Sequence, residues 1–469
     1  MSRFATLCTF LVLPLLFACS DGSDDRRDDD PEPPPAVAPA ELRVTHASPD
    51  APAVNVYVDG ALALEAVEYK QSSGLIPFDQ PTTIEVEVRG ILPDGSEVTV
   101  IGPADITVEE GVRTDIVAYD TLFYDAGALN IKPRILDPVT IEDGITDVRV
   151  SVLHAAPQVG PVDIYVTAPG DDLANTTPID ADFGDAAGPV ALEAATDYQV
   201  RITPDGDTTV VYDSGTLNFP AGTELLLIAV ENTFKVGANP VNLLAVGPVE
   251  AAEVLDVNMG AEVRVVHNSA DTPPVDVLID GTEVVDALAF PNATEYDDIQ
   301  APPGTYNVVI AADADNTIAP IDEDVTLEAT QSYTAIAVGS LADSSIEAVL
   351  TVDERRNIAT AAIVEVIHGS YLVAASIPVD IYLTSDGVIA DAEPAIPGLA
   401  YKESTGQLPL TPGDYWITVT AAGDKSVVAF DTGGVVPLEG GTNYTLIARD
   451  PSPEEVTGLP LIRVSILTD

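Results

Sequence analysis

The sequence predicts an all-β chain of four tandem immunoglobulin-like or transthyretin-like antiparallel β-sandwich domains, preceded by a signal peptide and a tether. Three observations carry that prediction. First, apolar and polar residues alternate with period two over short segments, the pattern of a strand with one buried face. Val54, Val56 and Val58 alternate with Asn55, Tyr57 and Asp59, and the pattern returns at Val162/Ile164/Val166, Val275/Val277/Ile279 and Val379/Ile381/Leu383. Second, turn formers punctuate the chain, with 33 Gly and 38 Pro in 469 residues. Asp59-Gly60, Asp280-Gly281 and Asp386-Gly387 follow the alternating segments as turn dipeptides, Gly supplying the positive φ. Third, the chain has four histidines, and they stand in four related contexts: RVTHASPDAPAVNVYVDG (His46), RVSVLHAAPQVGPVDIYVT (His154), RVVHNSADTPPVDVLIDG (His267) and VEVIHGSYLVAASIPVDIYLT (His368). A period near 105 residues indicates tandem domains, because solenoid units run to about 20–50 residues.

The elements follow in chain order. Residues 1–19, MSRFATLCTFLVLPLLFAC, read as an export signal, with Arg3 ahead of an apolar run too short to span a bilayer comfortably. Its end, Leu16-Phe17-Ala18-Cys19, resembles a bacterial lipobox. That resemblance implies lipidation of Cys19 and anchorage to the bacterial envelope, at the outer membrane or cell surface. Residues 20–40 form an acidic, Pro-rich tether with no apolar periodicity. The repeats are placed at 41–140, 147–250, 260–352 and 361–469. In the first three, nine positions separate His from Asn55, Asp163 and Asp276, whereas twelve separate His368 from Asp380, a three-residue insertion. Each repeat closes on a β-branched residue followed by Ala: Ala118, Ala229, Ala337 and Ala448. Between these markers lies a turn-then-strand signal, clear in PPGTYNVVI and TPGDYWITV, weaker in ATDYQVRI and nearly lost in PTTIEVEV. Strands do not alternate with helical patterns, so a doubly wound sheet is excluded.

Charge narrows the function. Asp and Glu number 76 against 19 Lys and Arg, a net charge of −57 beside 46% hydrophobic residues. Disorder requires low hydrophobicity as well as high charge, so the chain is expected to fold. Nucleic acid is excluded as a partner, since its binding rests on basic patches that release counterions. Both cysteines, Cys8 and Cys19, fall in the signal, leaving no disulfide, thiol chemistry or Cys-ligated metal for the body. The expected partners are a membrane, through the N-terminal lipid, and an extracellular protein or glycan.

Candidate residues divide into markers and surfaces. His46, His154, His267 and His368 share the parity of the apolar positions before them, which places each imidazole at the inward end of a strand. One ring nitrogen is expected to bond a loop carbonyl and the other the marker Asn55, Asp163, Asp276 or Asp380. The reading is structural, because one His per domain is poor in metal ligands. Tyr57, Tyr165 and Tyr382 have the opposite parity, beside the carboxylates Asp59, Asp163 and Asp380, and form a candidate binding face. Asp205-Gly206-Asp207 and Asp313-Ala314-Asp315-Asn316 offer clustered oxygens for calcium, but neither continues into the Gly-and-distal-Glu pattern of an EF-hand loop, and a hairpin turn is the favoured account. Catalytic signatures are missing: there is no G-x-S-x-G, H-E-x-x-H or G-x-x-x-x-G-K. Ser48 and Ser269, two residues after their histidines, have Ala156 as their counterpart in the second copy, which argues against a triad.

The His segment, the P-G-x-Y strand and the closing G-x-x-Y-T-x-I-A strand together resemble the domain-of-unknown-function 4397 family, over nearly all of residues 41 to 450. The family is often found in tandem on exported bacterial proteins. The resemblance implies extracellular β-sandwich modules and supplies no catalytic residues. The expected function is therefore that of a non-catalytic cell-surface lipoprotein, acting in binding, adhesion or as a structural spacer. Two alternatives stay open. One is a secreted hydrolase or carbohydrate-active accessory protein working through the fourth module, which has the enlarged Gly369–Pro378 loop and the only tryptophan, Trp416. The other is a surface protein rigidified by calcium.

Overall fold

The computed structural model of the protein describes residues 39–124, 128–129, 131–142, 144–374, 378–452, 455 and 462–469. The segments read as an export signal with Cys19 and, nearly all of it, as a tether lie outside the described residues. Ala40, assigned to the tether, already opens the first strand.

Each repeat is two facing sheets, and the third shows the plan most simply. Its first sheet runs Gln300–Ala301, Ala261–His267, Ser332–Val338, Glu347–Asp353; its second runs Thr282–Leu288, Val275–Ile279, Gly304–Ala312, Ile321–Leu327. The fourth repeats this order, as Ser404–Leu410, Ala362–His368, Thr442–Arg449, Arg463–Thr468 and Ile396–Leu399, Val379–Thr384, Gly413–Ala421, Asp424–Leu438. The first and second repeats keep the central strands and vary the edges. Among the described residues the only α-helical segment is the single turn Tyr371–Ala374, and no helix is long and apolar enough to cross a membrane.

Most pairings are antiparallel, as expected, but one in each repeat is not. The His strand and the closing strand lie side by side in parallel, in a register that sets His46 opposite Ala118, His154 opposite Ala229, His267 opposite Ala337 and His368 opposite Ala448. Parallel neighbours need a long crossover connection, and here the whole second sheet supplies it. Period-two alternation is the same in either direction, which is why the sequence pattern did not reveal this.

Two of the three Asp-Gly dipeptides make the tight hairpin. Asp59 and Gly60 have φ of 50° and 75°, and Asp280 and Gly281 of 49° and 75°, so both central residues are left-handed as a type I′ turn requires. Asp386-Gly387 does not. The strand Val379–Thr384 is followed only at Ile396 by the next, and Gly387 lies beneath Trp416, whose ring an added Cβ would meet at 2.7 Å.

Each sandwich encloses its own core, for example Leu42, Val44, Val56, Val86 and Ile116 in the first and Val364, Ile381, Val419 and Leu446 in the fourth. The sheets carrying the His strands are buried on their other faces too. Val117, Leu153, Leu226, Ile228, Leu244 and Val246 form one apolar layer joining repeats one and two. Val266, Ile336, Val338, Ile367 and Ile447 form another joining repeats three and four. The segment between repeats three and four ties the pairs together. Arg356 donates to the carbonyls of Pro49 (2.8 Å) and Ala51 and stacks on Tyr69. Arg355 donates to the Lys235 carbonyl at 3.5 Å, and Lys235 reaches Asn357 at 3.1 Å. Residues Ala38–Asp469 accordingly form one compact unit.

Candidate functional site

The His strands bring the repeat markers to the same place in each sandwich. His46 Nε2 lies 3.1 Å from the Pro52 carbonyl, His154 Nε2 3.0 Å from Gly160 and His267 Nε2 3.1 Å from Pro273, each carbonyl six residues on. The carbonyl accepts, so Nε2 carries the proton and Nδ1 is an acceptor. That acceptor does not take the marker Asn or Asp, contrary to expectation. In the first two repeats it receives the backbone N–H two residues on, from Ser48 (3.3 Å) and Ala156 (3.4 Å). The physical reason is proximity: a strand end that turns at once presents its own next amide before the following strand's side chain can reach.

An aromatic ring lies edge-on to every imidazole: Tyr69 at 6.1 Å, Phe183 at 6.1 Å, Phe290 at 5.9 Å and Tyr401 at 6.0 Å between centroids. Sequence reasoning missed this partner, whose distance from the His varies between copies. Burial holds the imidazoles neutral. It drives His46 and His368 down to about 4 and lowers His154 and His267 as well.

The marker Asx residues clamp the second sheet instead. Asn55 Oδ1 accepts from Ala66 N–H (2.8 Å), Asp276 Oδ1 from Ala287 N–H (3.0 Å) and Asp380 Oδ1 from Gly398 N–H (2.8 Å). All three amides belong to residues at positive φ, 50°, 52° and 65°, where the edge strand bulges. The side-chain acceptor satisfies a donor that the bulge takes out of the ladder. The second atom ties down a turn: Asp380 Oδ2 accepts from Gly423 and Asp163 Oδ2 from Gly206. In the second repeat Asp163 faces Asp180 in register, and its carboxyl is raised by burial first and by Asp180 next.

The proposed tyrosine face is corrected. Tyr165 and Tyr382 are 4% and 2% exposed, and only Tyr57 is half-exposed, donating to Glu97 at 3.0 Å under the Arg89 guanidinium. Their parity is opposite to the core, but the loops that replace the two-residue hairpin fold back over them. Arg201, opposite Tyr165 in register, is bonded to Thr167 and to the Asp171 carbonyl. Lys425 lies over the Tyr382 ring and binds the carbonyls of Ala390 and Ala392.

The acidic loops are turns. Asp207 caps Thr208 and Thr209, and Asp315 caps Thr317. The second loop also brings Asp313 together with Asp276 and Asp286, their oxygens within 4.8 Å of one another. Asp276 is already engaged by Ala287, and carboxylates gathered at a surface do not by themselves assign an ion. Ser48 and Ser269 donate to the carbonyls of Asp120 (2.6 Å) and Gly339 (2.9 Å) just beyond the closing strand. The tyrosines of the turn-then-strand signal reach back across their turns, Tyr306 to the Pro302 carbonyl (2.7 Å) and Tyr415 to that of Thr411 (2.6 Å).

Fold and marker residues together define a protein of tandem two-sheet modules whose repeated polar residues are architectural. The model of the family described as Domain of unknown function (DUF4397) matches residues 40–143, 148–251 and 261–382, and the chain belongs to that family. The third match runs into the first strands of the fourth repeat, whose strand order nevertheless equals that of the third and whose His-to-Ala register equals that of the other three. No curated protein matches the chain. Among solved structures, the Bacillus anthracis TIE protein is similar at 11% identity over 88% of this chain and 69% of its own, with a TM-score of 0.14, too low to carry an argument.

Proposed function

We propose that the protein is a non-catalytic, exported and lipid-anchored surface protein, in which four sandwiches form a rigid acidic body that binds or spaces at the envelope. The observation that carries this reading is what the repeated polar residues do. His46, His154 and His267 are spent on loop carbonyls, and Asn55, Asp276 and Asp380 on bulge amides. Residues maintained in copy after copy for such bonds support a role resting on shape and surface. The anchor rests on the lipobox-like Leu16-Phe17-Ala18-Cys19 and the tether that follows.

Expression of the full chain in a bacterial host with a labelled fatty acid tests the anchor. The label and the chain are expected in the membrane fraction, and Cys19→Ala is expected to lose both; an unlabelled, freely released wild-type chain would overturn anchoring. Screening the body against glycan and envelope-protein arrays tests the binding role. Turnover of a glycan or ester substrate that persists through purification would overturn the non-catalytic reading in favour of a hydrolase.

A further inference from the structure

The core of the fourth sandwich is not filled. Between its two sheets lies a cavity of about 140 Å³, lined by Val366, Ile381, Leu408, Val419, Phe430 and Leu446 among others, and by the imidazole of His368. The lining is otherwise aliphatic or aromatic apart from Thr432, whose hydroxyl already donates to the Gly434 carbonyl at 2.6 Å and accepts from Ile417 N–H. His368 is different. It is 1% exposed, and among the described residues neither of its ring nitrogens has a hydrogen-bond partner; Ile377, the counterpart of Pro52, Gly160 and Pro273, lies outside the described residues. A buried polar group of that kind carries a desolvation cost that a ligand can relieve.

An apolar cavity of this size stays dry and accepts a molecule near the size of benzene. A charged ligand is disfavoured, because nothing in the lining offsets its desolvation. We propose that the interior of the fourth repeat is a binding site for a small, neutral, mostly apolar molecule, the size of a single aromatic ring, with one hydroxyl that meets His368. The site needs no metal and no other module, and it goes beyond the surface role proposed above.

The test uses the full chain with 4-fluorophenol and fluorobenzene, followed by ¹⁹F NMR. Saturable binding of 4-fluorophenol is expected, with fluorobenzene at least about five-fold weaker. Val419→Phe, which fills the cavity, is expected to abolish binding while circular dichroism keeps its β signature. Should that variant fail to fold, ligand-to-methyl NOEs in the wild type decide the matter. Contacts to repeat-four methyls such as Leu408 and Ile381 support the site, and their absence overturns it. No saturable binding, or binding unchanged in folded Val419→Phe, overturns the site; equal affinities for the two probes overturn the assignment of His368.

Discussion

His46, read as structural from its sequence context, is bonded to its own loop in space. Its repetition and inward parity were legible, and so was its loop-carbonyl partner. Its edge-on ring, Tyr69, was not, because the partner sits at no fixed spacing across the copies. The same holds for Asn55 and its relatives, where the repeat marked the residue and only the bulge at Ala66 explains it. Burial makes the histidines a source of pH sensitivity. The ordinary value is about 6.5 and the folded value of His46 about 4, so between the two the unfolded chain binds a proton that the folded chain does not. Stability then falls as pH falls through this window and levels off below it, by up to about 3 kcal/mol for His46. Glu231, Glu262, Glu365 and Asp450, raised mainly by burial, act with the opposite sign, so a difference measurement is needed. Urea denaturation between pH 7 and 4 is expected to show His46→Gln losing less stability than the wild type, so that the gap between them narrows as the solution is acidified. A constant gap would contradict a neutral buried imidazole.

Strands themselves were readable from alternation and from Asp-Gly, but their neighbours were not. The His strands show why. The segment Ala362–His368 is buried along its whole length, yet its sequence AIVEVIH has the alternation of a half-exposed strand only in part. Ile367, at the outward parity, belongs to the seam with repeat three, and Glu365, two residues before it, is satisfied by Ser404. An apolar outward residue in a tandem repeat is thus a signal for module-on-module packing. Arg43 is the polar version: it pairs with Asp115 at 2.6 Å and donates to the carbonyls of Val246 and Gly247 in the next repeat. Placing a carboxylate in the seam by Ile447→Asp is expected to cost about 3–5 kcal/mol. It should appear as an earlier thermal transition, whereas an unchanged melting curve would mean that the two repeats do not pack through this layer.

Taken whole, the molecule spends several of its few cations internally. Arg43, Arg113, Arg201, Arg264 and Arg449 are all buried, which leaves carboxylates in still greater excess outside. Residues 41–469 carry −53, an excess of negative charge that repels itself. Debye screening extends to about 30 Å at 0.01 M salt and shrinks to about 3 Å at 1 M. The melting temperature is therefore expected to drop by about 2 °C or more on transfer from 1 M to 0.01 M sodium chloride; insensitivity to salt would show that the buried arginines already balance the field. The parallel register of His strand and closing strand has a further consequence, for the order of events in folding. His46 meets Ala118 and His368 meets Ala448, so the central pair of each first sheet joins residues 70 to 80 positions apart. Contacts of such separation pay loop-closure entropy before they return any stabilisation, and they slow folding. A repeat emerging from its N-terminus holds its opening strand without a central partner until its closing strand follows. That delay keeps each repeat an open polymer until nearly all of it has been made, so its sandwich closes late and as a whole.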